Sequence, residues 1–237
     1  PSYVYKGKGY NINLTVPLIW QKTDAGKQGS DKQSFHHFVW TPPLRFYWKF
    51  HHFWEFMATG SYKHSPTSYM NLNDTYYYKN RNLLQRGIDG LGMDKQTQGS
   101  LNLYYRNPFH AFWSRLNMTY TQNKSDLISG YDFIGTQPIY TWQMANRSYK
   151  QFNIRGNVGK IVDAIQTNLD VSIGYSHTLY TQYQQKTLRD TRSNQGYFIF
   201  NSNTRITSWW DWELTWNSVV SHNNGYETLW NHQLATN

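Results

Sequence analysis

The chain has 237 residues and no cysteine, which excludes both a disulfide scaffold and a thiolate metal site. Aromatic residues make up 18% of it and charged residues only 16%, whereas an ordinary soluble domain carries about 25% charge. The formal net charge is +9, but the lysines and arginines are scattered along the chain rather than clustered, so we do not expect a nucleic-acid partner.

The sequence contains no run of the about 18 to 20 consecutive apolar residues that a transmembrane helix needs, which excludes a helical membrane protein. A transmembrane β-strand needs only about 9 to 11 residues, and only alternate ones must be apolar. The composition therefore leaves a membrane-spanning β-barrel open.

Apolar and polar residues alternate with the period of two expected of a β-strand over several stretches. The first runs from 11 to 20, and a charged loop follows it. Strands over 38–50 and 54–62 are joined by a short turn. A long irregular segment, 65–98, then precedes a hairpin over 99–121 that turns at an Asn-Pro pair, since proline cannot donate to the strand ladder.

A second long loop is expected over 124–147, and a polar loop over 184–194. About ten antiparallel strands result, with short turns near positions 50, 110, 162 and 208 that alternate with longer loops. This rhythm is typical of bacterial outer-membrane barrels. The predicted fold class is all-β, an antiparallel up-and-down transmembrane β-barrel, with residues 1–237 forming one partial barrel domain.

Aromatic residues cluster beside three of the four short turns, as the rings of a membrane girdle do at the lipid–water interface. The alternative is that the same rings form the core of a β-sandwich. We predict that the girdle includes Trp48, Trp54, Trp113, Trp209, Trp210 and Trp212.

Several motifs in sequence order resemble one known family. The run TPPLRFYWKF begins at Thr41, a rising strand ends at Ser65-Pro66, a loop holds Asn82-Leu83-Leu84, and GSLNLYYRNP follows from Gly99. This order resembles the mid-to-late barrel of TonB-dependent outer-membrane receptors of the Bacteroidota type. The loop RNLLQRGIDGLGMDKQTQ departs from the G-N-P-x-L-x-P-E pattern usual in that family.

The resemblance implies a barrel of about 22 strands in the bacterial outer membrane, of which the chain is a fragment. It implies the import of a large or scarce solute: a glycan, a siderophore, a vitamin or a peptide. The implied partners are outer-membrane lipid and lipopolysaccharide, a plug domain and TonB through an N-terminal part beyond this chain, and a surface lipoprotein. We expect no cofactor, no metal site and no enzymatic activity, because the carboxylates are scattered.

Substrate-binding residues are expected in the long loops, where rings can stack on sugars and arginines can bind anions. Alternatively, these side chains only close the barrel mouth or contact lipopolysaccharide phosphates. The loop residues are Tyr76, Tyr77, Tyr78, Arg81, Arg86, Tyr131, Tyr140, Trp142 and Arg147. The residues expected to face the lumen are Asn102, Arg106, Asn117, Thr119, Asn153, Arg155, Asp170 and Ser172.

Two other functions fit the same patterns. One is a passive porin-like or structural barrel of the outer membrane, which would conduct ions without a coupling partner. The other is a secreted β-sandwich that binds polysaccharide through its aromatic residues, which would be soluble without detergent.

Overall fold

The structure, a computed structural model, describes residues 2–25, 33–66, 75–81, 83–88, 92–184, 187–207, 210–224 and 228–236. The strands are β1 (Ser2–Gly7), β2 (Tyr10–Thr15), β3 (Leu18–Ala25), β4 (Gln33–Trp40), β5 (Pro43–His51), β6 (Trp54–Pro66), β7 (Tyr76–Asn80), β8 (Leu83–Arg86), β9 (Met93–Asn107), β10 (Phe112–Ile134), β11 (Gln137–Val162), β12 (Thr167–Gln184), β13 (Thr187–Thr207), β14 (Trp210–Asn223) and β15 (Leu229–Thr236). Within the described ranges, no helix has the length and hydropathy needed to cross a membrane.

All fifteen strands belong to one sheet, whose main path is β1-β2-β5-β6-β9-β10-β11-β12-β13-β14-β15. Each strand on this path is antiparallel to the next, which confirms the predicted all-β, antiparallel up-and-down class. The hairpins β3–β4 and β7–β8 lie off the path. Among the described residues no pairing joins β1 to β15, so the sheet is open.

The two faces of the sheet differ in polarity. One row crosses ten strands from β2 to β15 with no charged or hydrogen-bonding side chain other than a tyrosine and a tryptophan. It consists of Ile12, Phe46, Ala58, Leu101, Met118, Ile154, Tyr175, Gly196, Val220 and Trp230. A row on the opposite face crosses nine strands and is polar throughout. Its members are Asn13, Arg45, Thr59, Ser100, Thr119, Asn153, Ser176, Gln195 and Ser221.

At two pairs of adjacent residues, exposure is the reverse of that expected in a water-soluble sheet. Leu101 is 46% exposed whereas its neighbour Asn102 is 4% exposed, and Ile173 is 59% exposed whereas Ser172 is 3% exposed. At these two places the polar side chain is the more crowded one. An apolar outer face and a polar inner face are the arrangement of a transmembrane β-barrel wall.

The longest strands replace a predicted loop. Residues 124–147 continue β10 and β11, which have 23 and 26 residues and meet at a tight turn where Gly135 has a φ of 62°. At about 3.3 Å per residue, β11 alone is roughly 85 Å long, far more than the apolar band of an outer-membrane barrel, which is about 25 Å tall. Strand structure also replaces the predicted loop over most of 184–194, and β7, β8 and the start of β9 lie within 65–98.

Two short turns join strands at what we call the lower end of the sheet, near positions 110 and 162 as predicted. Each is a single 3-10 turn, Pro108–His110 and Asp163–Ile165, followed by a residue in the left-handed region. In the first turn Asn107 Oδ1 accepts hydrogen bonds from the backbone N–H of Phe109, at 3.0 Å, and of His110, at 3.4 Å. The asparagine side chain therefore caps the turn.

Replacing Asn107 by alanine should lower the free energy of unfolding by about 1 kcal/mol, because two backbone donors lose their acceptor. Ala111→Gly in the same turn should have the opposite sign, since Ala111 has a φ of 44°, a region that costs a residue with a Cβ about 1 kcal/mol. Denaturant unfolding of the purified protein in detergent measures both. Equal stability of the two variants would contradict the capping role.

Candidate solute-binding surface

The β10–β11 hairpin turns over above the sheet. In the lower part of the sheet β10 pairs with β9, and β11 pairs with β12. Near the tip the neighbours are exchanged, because Gly130 of β10 pairs in parallel with Tyr183 of β12, and Tyr140 of β11 pairs in parallel with Gln85 of β8. The hairpin therefore makes half a turn about its own axis between the sheet and its tip.

An irregularity between Ser125 and Leu127 marks the position where the hairpin rotates. Bulges increase the local right-handed twist of a strand pair, which is the physical origin of the rotation. The backbone N–H of Leu127 donates to Ser125 Oγ at 3.2 Å, and the intervening Asp126 accepts from the backbone N–H of Met93 at 3.3 Å. Asp126 thus ties the bulge to the first residue of β9.

We call β7, β8, residues 127–144 and residues 180–183 the cap. It contains the buried hydrophobic residues of the described chain: Leu127 and Ile128 at 1% exposure, Ile139 at 2% and Tyr183 at 8%. The Gln143 side-chain amide donates to the Tyr183 hydroxyl at 2.7 Å, so the polar end of this ring is satisfied. The cap therefore has an apolar core of its own above the single-layered sheet.

Three of the predicted loop residues form an aromatic row on the cap. Tyr131 and Tyr140 lie opposite each other with their ring centroids 5.2 Å apart, and Trp142 is 5.7 Å from Tyr140. The Lys79 ammonium lies 5.2 Å from the centre of the Tyr140 ring. The rings pack edge to face, with interplanar angles of 61° and 87°, and Tyr131 is exposed, so one ring of the row is open to a ligand and a cation lies nearby.

The other predicted residues of β7 and β8 lie on the same cap. Arg86 has its guanidinium carbon 5.3 Å from the centre of the Tyr76 ring. Tyr77 is half-buried and Tyr78 is exposed on β7, and Arg81 is exposed in the turn after that strand. The cap thus brings together aromatic and cationic side chains from segments that are distant in sequence.

A cavity of about 340 Å³ lies where β6, β9, β10 and β11 meet the cap, and it is lined by two predicted residues, Arg147 and Trp142. Lys63 and Asp94 also line it, although we did not predict them. The indole nitrogen of Trp142 is enclosed without a hydrogen-bond partner in the part of the chain that the structure describes. An indole N–H can only donate a hydrogen bond, and this one is enclosed rather than open to the cavity.

The polar face carries all eight residues expected to face the lumen, and several are hydrogen-bonded across strands. Asn117 donates to Asn102 at 2.7 Å, and Asn153 donates to Thr119 at 3.2 Å. Between β11 and β12, Asn157 donates to Asp170 at 2.7 Å and to Ser172 at 3.0 Å. Arg106 and Arg155 are exposed on the same face. That this face lines a lumen remains a prediction.

The predicted girdle divides in two. Trp48, Trp54 and Trp212 lie on the apolar face, Trp210 is exposed, and Trp209 is outside the described residues. Trp113 instead lies on the polar face. A Cβ added to Gly159, which is opposite Trp113, would come within 2.2 Å of the indole. The reason is parity, since Trp113 is an even number of residues from Asn117 on the same strand.

Metal and acid–base chemistry receive little support from the described residues. The rings of His51 and His52 are 5.6 Å apart, edge to face, and no group of three or more His, Asp or Glu side chains in the described ranges is placed to hold a metal ion. Asp211 forms an ion pair with Arg205 at 3.3 Å.

No protein-family model matches the sequence, and no curated protein matches it. Among solved structures, the chain is similar to the crystal structure of the ferric citrate transporter FecA in the unliganded form, with a TM-score of 0.49 and 14% identity over 98% of this chain and 36% of that chain. It is also similar to OmpT, an outer-membrane protein of Vibrio cholerae folded in vitro, with a TM-score of 0.38 and 6% identity over 98% of this chain and 83% of that one. The chain thus spans about a third of the FecA chain.

Gly130→Ala should loosen the cap, because the added Cβ would lie 2.1 Å from the backbone oxygen of Tyr183. Overpacking of this kind costs about 1 to 3 kcal/mol, so the amide protons of the cap should exchange with solvent about fivefold to a hundredfold faster. Gly156→Ala is the matched control, since nothing lies within 4 Å of a Cβ at that position. Equal exchange rates in the two variants would contradict the close pairing of Gly130 on β10 with Tyr183 on β12.

Proposed function

We propose that this chain is part of a TonB-dependent transporter that lies in the bacterial outer membrane and imports a large or scarce solute, such as a glycan, a siderophore, a vitamin or a peptide. One observation carries the proposal: an unbroken apolar row crosses ten strands, and several of its large side chains, Leu101, Tyr175 and Trp230, are exposed. Soluble proteins rarely expose a contiguous apolar patch of more than a few hundred Å², so the solvent of this face is lipid.

The backbone of the sheet fits the same environment. In lipid every backbone N–H and C=O must be paired within the protein, and antiparallel neighbours do this for the strands of the main path. The outer edges of β1 and β15 have no partner among the described residues. We assign their closure to further strands of a larger barrel, because an open edge in lipid is not tolerated.

The cap favours a receptor over a passive pore. Its buried core holds the row formed by Tyr131, Tyr140 and Trp142 in a fixed position above the sheet, and a rigid surface loses less entropy when it binds a ligand. The long strands carry this surface well beyond the apolar band. Passive conduction would not need such a surface.

We assign a proposed partner to each face of the sheet and to its upper end. Outer-membrane lipid contacts the apolar face, and lipopolysaccharide contacts the exposed cations of the upper part. The polar face contacts a plug domain, which TonB moves, and a surface lipoprotein covers the mouth above the cap. A sandwich is disfavoured because all fifteen described strands belong to a single sheet.

Planar bilayers distinguish the transporter from a porin. The full-length protein should show no steady conductance until its plug is unfolded with urea, and the conductance should disappear when urea is removed. A channel that stays open without urea would establish the passive alternative. A protein that remains soluble and does not enter bilayers would overturn both.

Leu101→Arg should impair membrane insertion, although Leu101 is already 46% exposed. If this face were in water, an arginine at such a position would change the stability of the protein very little. On a lipid-facing surface near the midplane of the membrane, it destabilises the protein by about 2 to 4 kcal/mol. Thr119→Arg, on the polar face of the adjacent strand, is the matched control and should insert normally. The yield of folded protein in the outer-membrane fraction measures both, and equal yields would mean that the apolar face is not in lipid.

A further inference from the structure

Four polar side chains line a cavity of about 330 Å³ on the polar face, three to five residue pairs above the lower turns: Arg115, Asn117, Arg155 and Asn157. In the register of β10 and β11, Arg115 lies opposite Asn157, and Asn117 lies opposite Arg155. The two arginines are therefore diagonal neighbours on one face, about 7 to 8 Å apart at their Cα atoms. The lining contains two guanidinium groups and no carboxylate.

The Arg115 guanidinium is held by its neighbours on β9. Its central carbon lies 4.9 Å from the centre of the Tyr104 ring, and its Nη2 donates to Asn102 Oδ1 at 3.4 Å. Asn102 is almost fully buried, so this acceptor has a fixed position. The arginine is thus placed by two contacts that leave donors for a ligand, since a guanidinium has five N–H groups.

The Arg155 guanidinium lies near the ring of Tyr197, a residue two strands away, on the far side of Gly174. Its central carbon is 5.9 Å from the centre of the Tyr197 ring. Gly174 lies between the two residues in the register, and a Cβ there would come within 2.2 Å of the Tyr197 ring. The missing side chain is what allows the tyrosine to reach toward the arginine.

Neither guanidinium forms an ion pair in the part of the chain that the structure describes, whereas Lys49 and Arg205 are paired with Glu55 and Asp211. Both guanidinium groups line the same cavity, so each adds to the positive potential there. An anion in the cavity would be attracted by both arginines, and a guanidinium matches the geometry of carboxylate and phosphate groups.

The two asparagines define what else the ligand offers. The side-chain nitrogen of Asn117 already donates to Asn102, and that of Asn157 already donates to Asp170 and Ser172. Their amide oxygens are left as acceptors, which suits a hydroxyl or N–H group next to the charged group of the ligand.

We propose that this cavity binds the anionic group, a carboxylate or a phosphate, of a solute that moves along the polar face of the sheet. The site rests on the proposed function for its biological role, because the solute must move along this face. Binding itself requires neither TonB nor energy, so it can be measured independently of transport.

The full-length protein, purified in detergent, is titrated calorimetrically with inorganic phosphate and, separately, with malonate. We expect saturable binding of at least one of them, and at least tenfold weaker binding by Arg115→Gln/Arg155→Gln. Arg192→Gln is the matched control, because Arg192 shares the face of its cross-strand partner Leu179, opposite to the polar face, and should leave the affinity unchanged. Binding of phosphate alone or of malonate alone assigns the site to one chemistry.

The Arg115→Lys/Arg155→Lys variant guards against a folding artefact, because it keeps both charges and loses the planar fork. It should bind with an affinity between those of the native protein and the glutamine variant. No saturable binding of either anion by the native protein, or an equal loss in the Arg192 control, overturns the site. Leu101→Arg and the bilayer recordings test membrane placement and coupling, not anion binding. If they contradict the proposed function, measured anion binding would still stand. If no anion binds, the evidence for membrane placement and coupling is unaffected.

Discussion

The register between neighbouring strands is the constraint on which the whole structure depends. Side chains alternate between the faces, so a shift of one residue on any strand would move its entire apolar set to the polar face. A shift at β10 would place Asn117 in the row that Leu101 occupies on β9, on the apolar face. Among the described residues, no second layer lies against the main path of the sheet to bury a misplaced apolar set, so correct pairing specifies the fold, the apolar face and the polar face at once.

The parts of the fold that the sequence predicts are those in which one face is apolar and the other is polar. The hairpin over residues 99–121 is such a part, and its alternation is plain. The cap could not be predicted in this way, because Leu127 and Ile128 are adjacent and both buried, which removes the alternation. Trp113 shows a different error, since it was assigned from its nearness to a turn although its parity with Arg115 already placed it on the polar face.

The candidate site shows a similar division. Sequence reasoning found the aromatic residues of the cap, because rings in polar segments are conspicuous, but their grouping depends on the parallel pairings of β8 with β11 and β10 with β12. Arg115 shares its face with Asn117 and could have been found by parity alone. Its contact with Tyr104 and its diagonal relation to Arg155 depend on three strands in register. The result is an aromatic surface above and a cationic cavity below on one wall.

The half-turn of the β10–β11 hairpin has a mechanical consequence. Through its exchanged neighbours the hairpin links β8 on one side to β12 on the other, across the upper ends of the strands between them. The upper ends of these strands cannot separate unless the parallel pairings of β10 with β12 and of β11 with β8 break first. The upper edge of the sheet is therefore cross-linked by hydrogen bonds at this point. A force applied to the hairpin from above is distributed over β8 and β12 instead of separating a single strand from its neighbour.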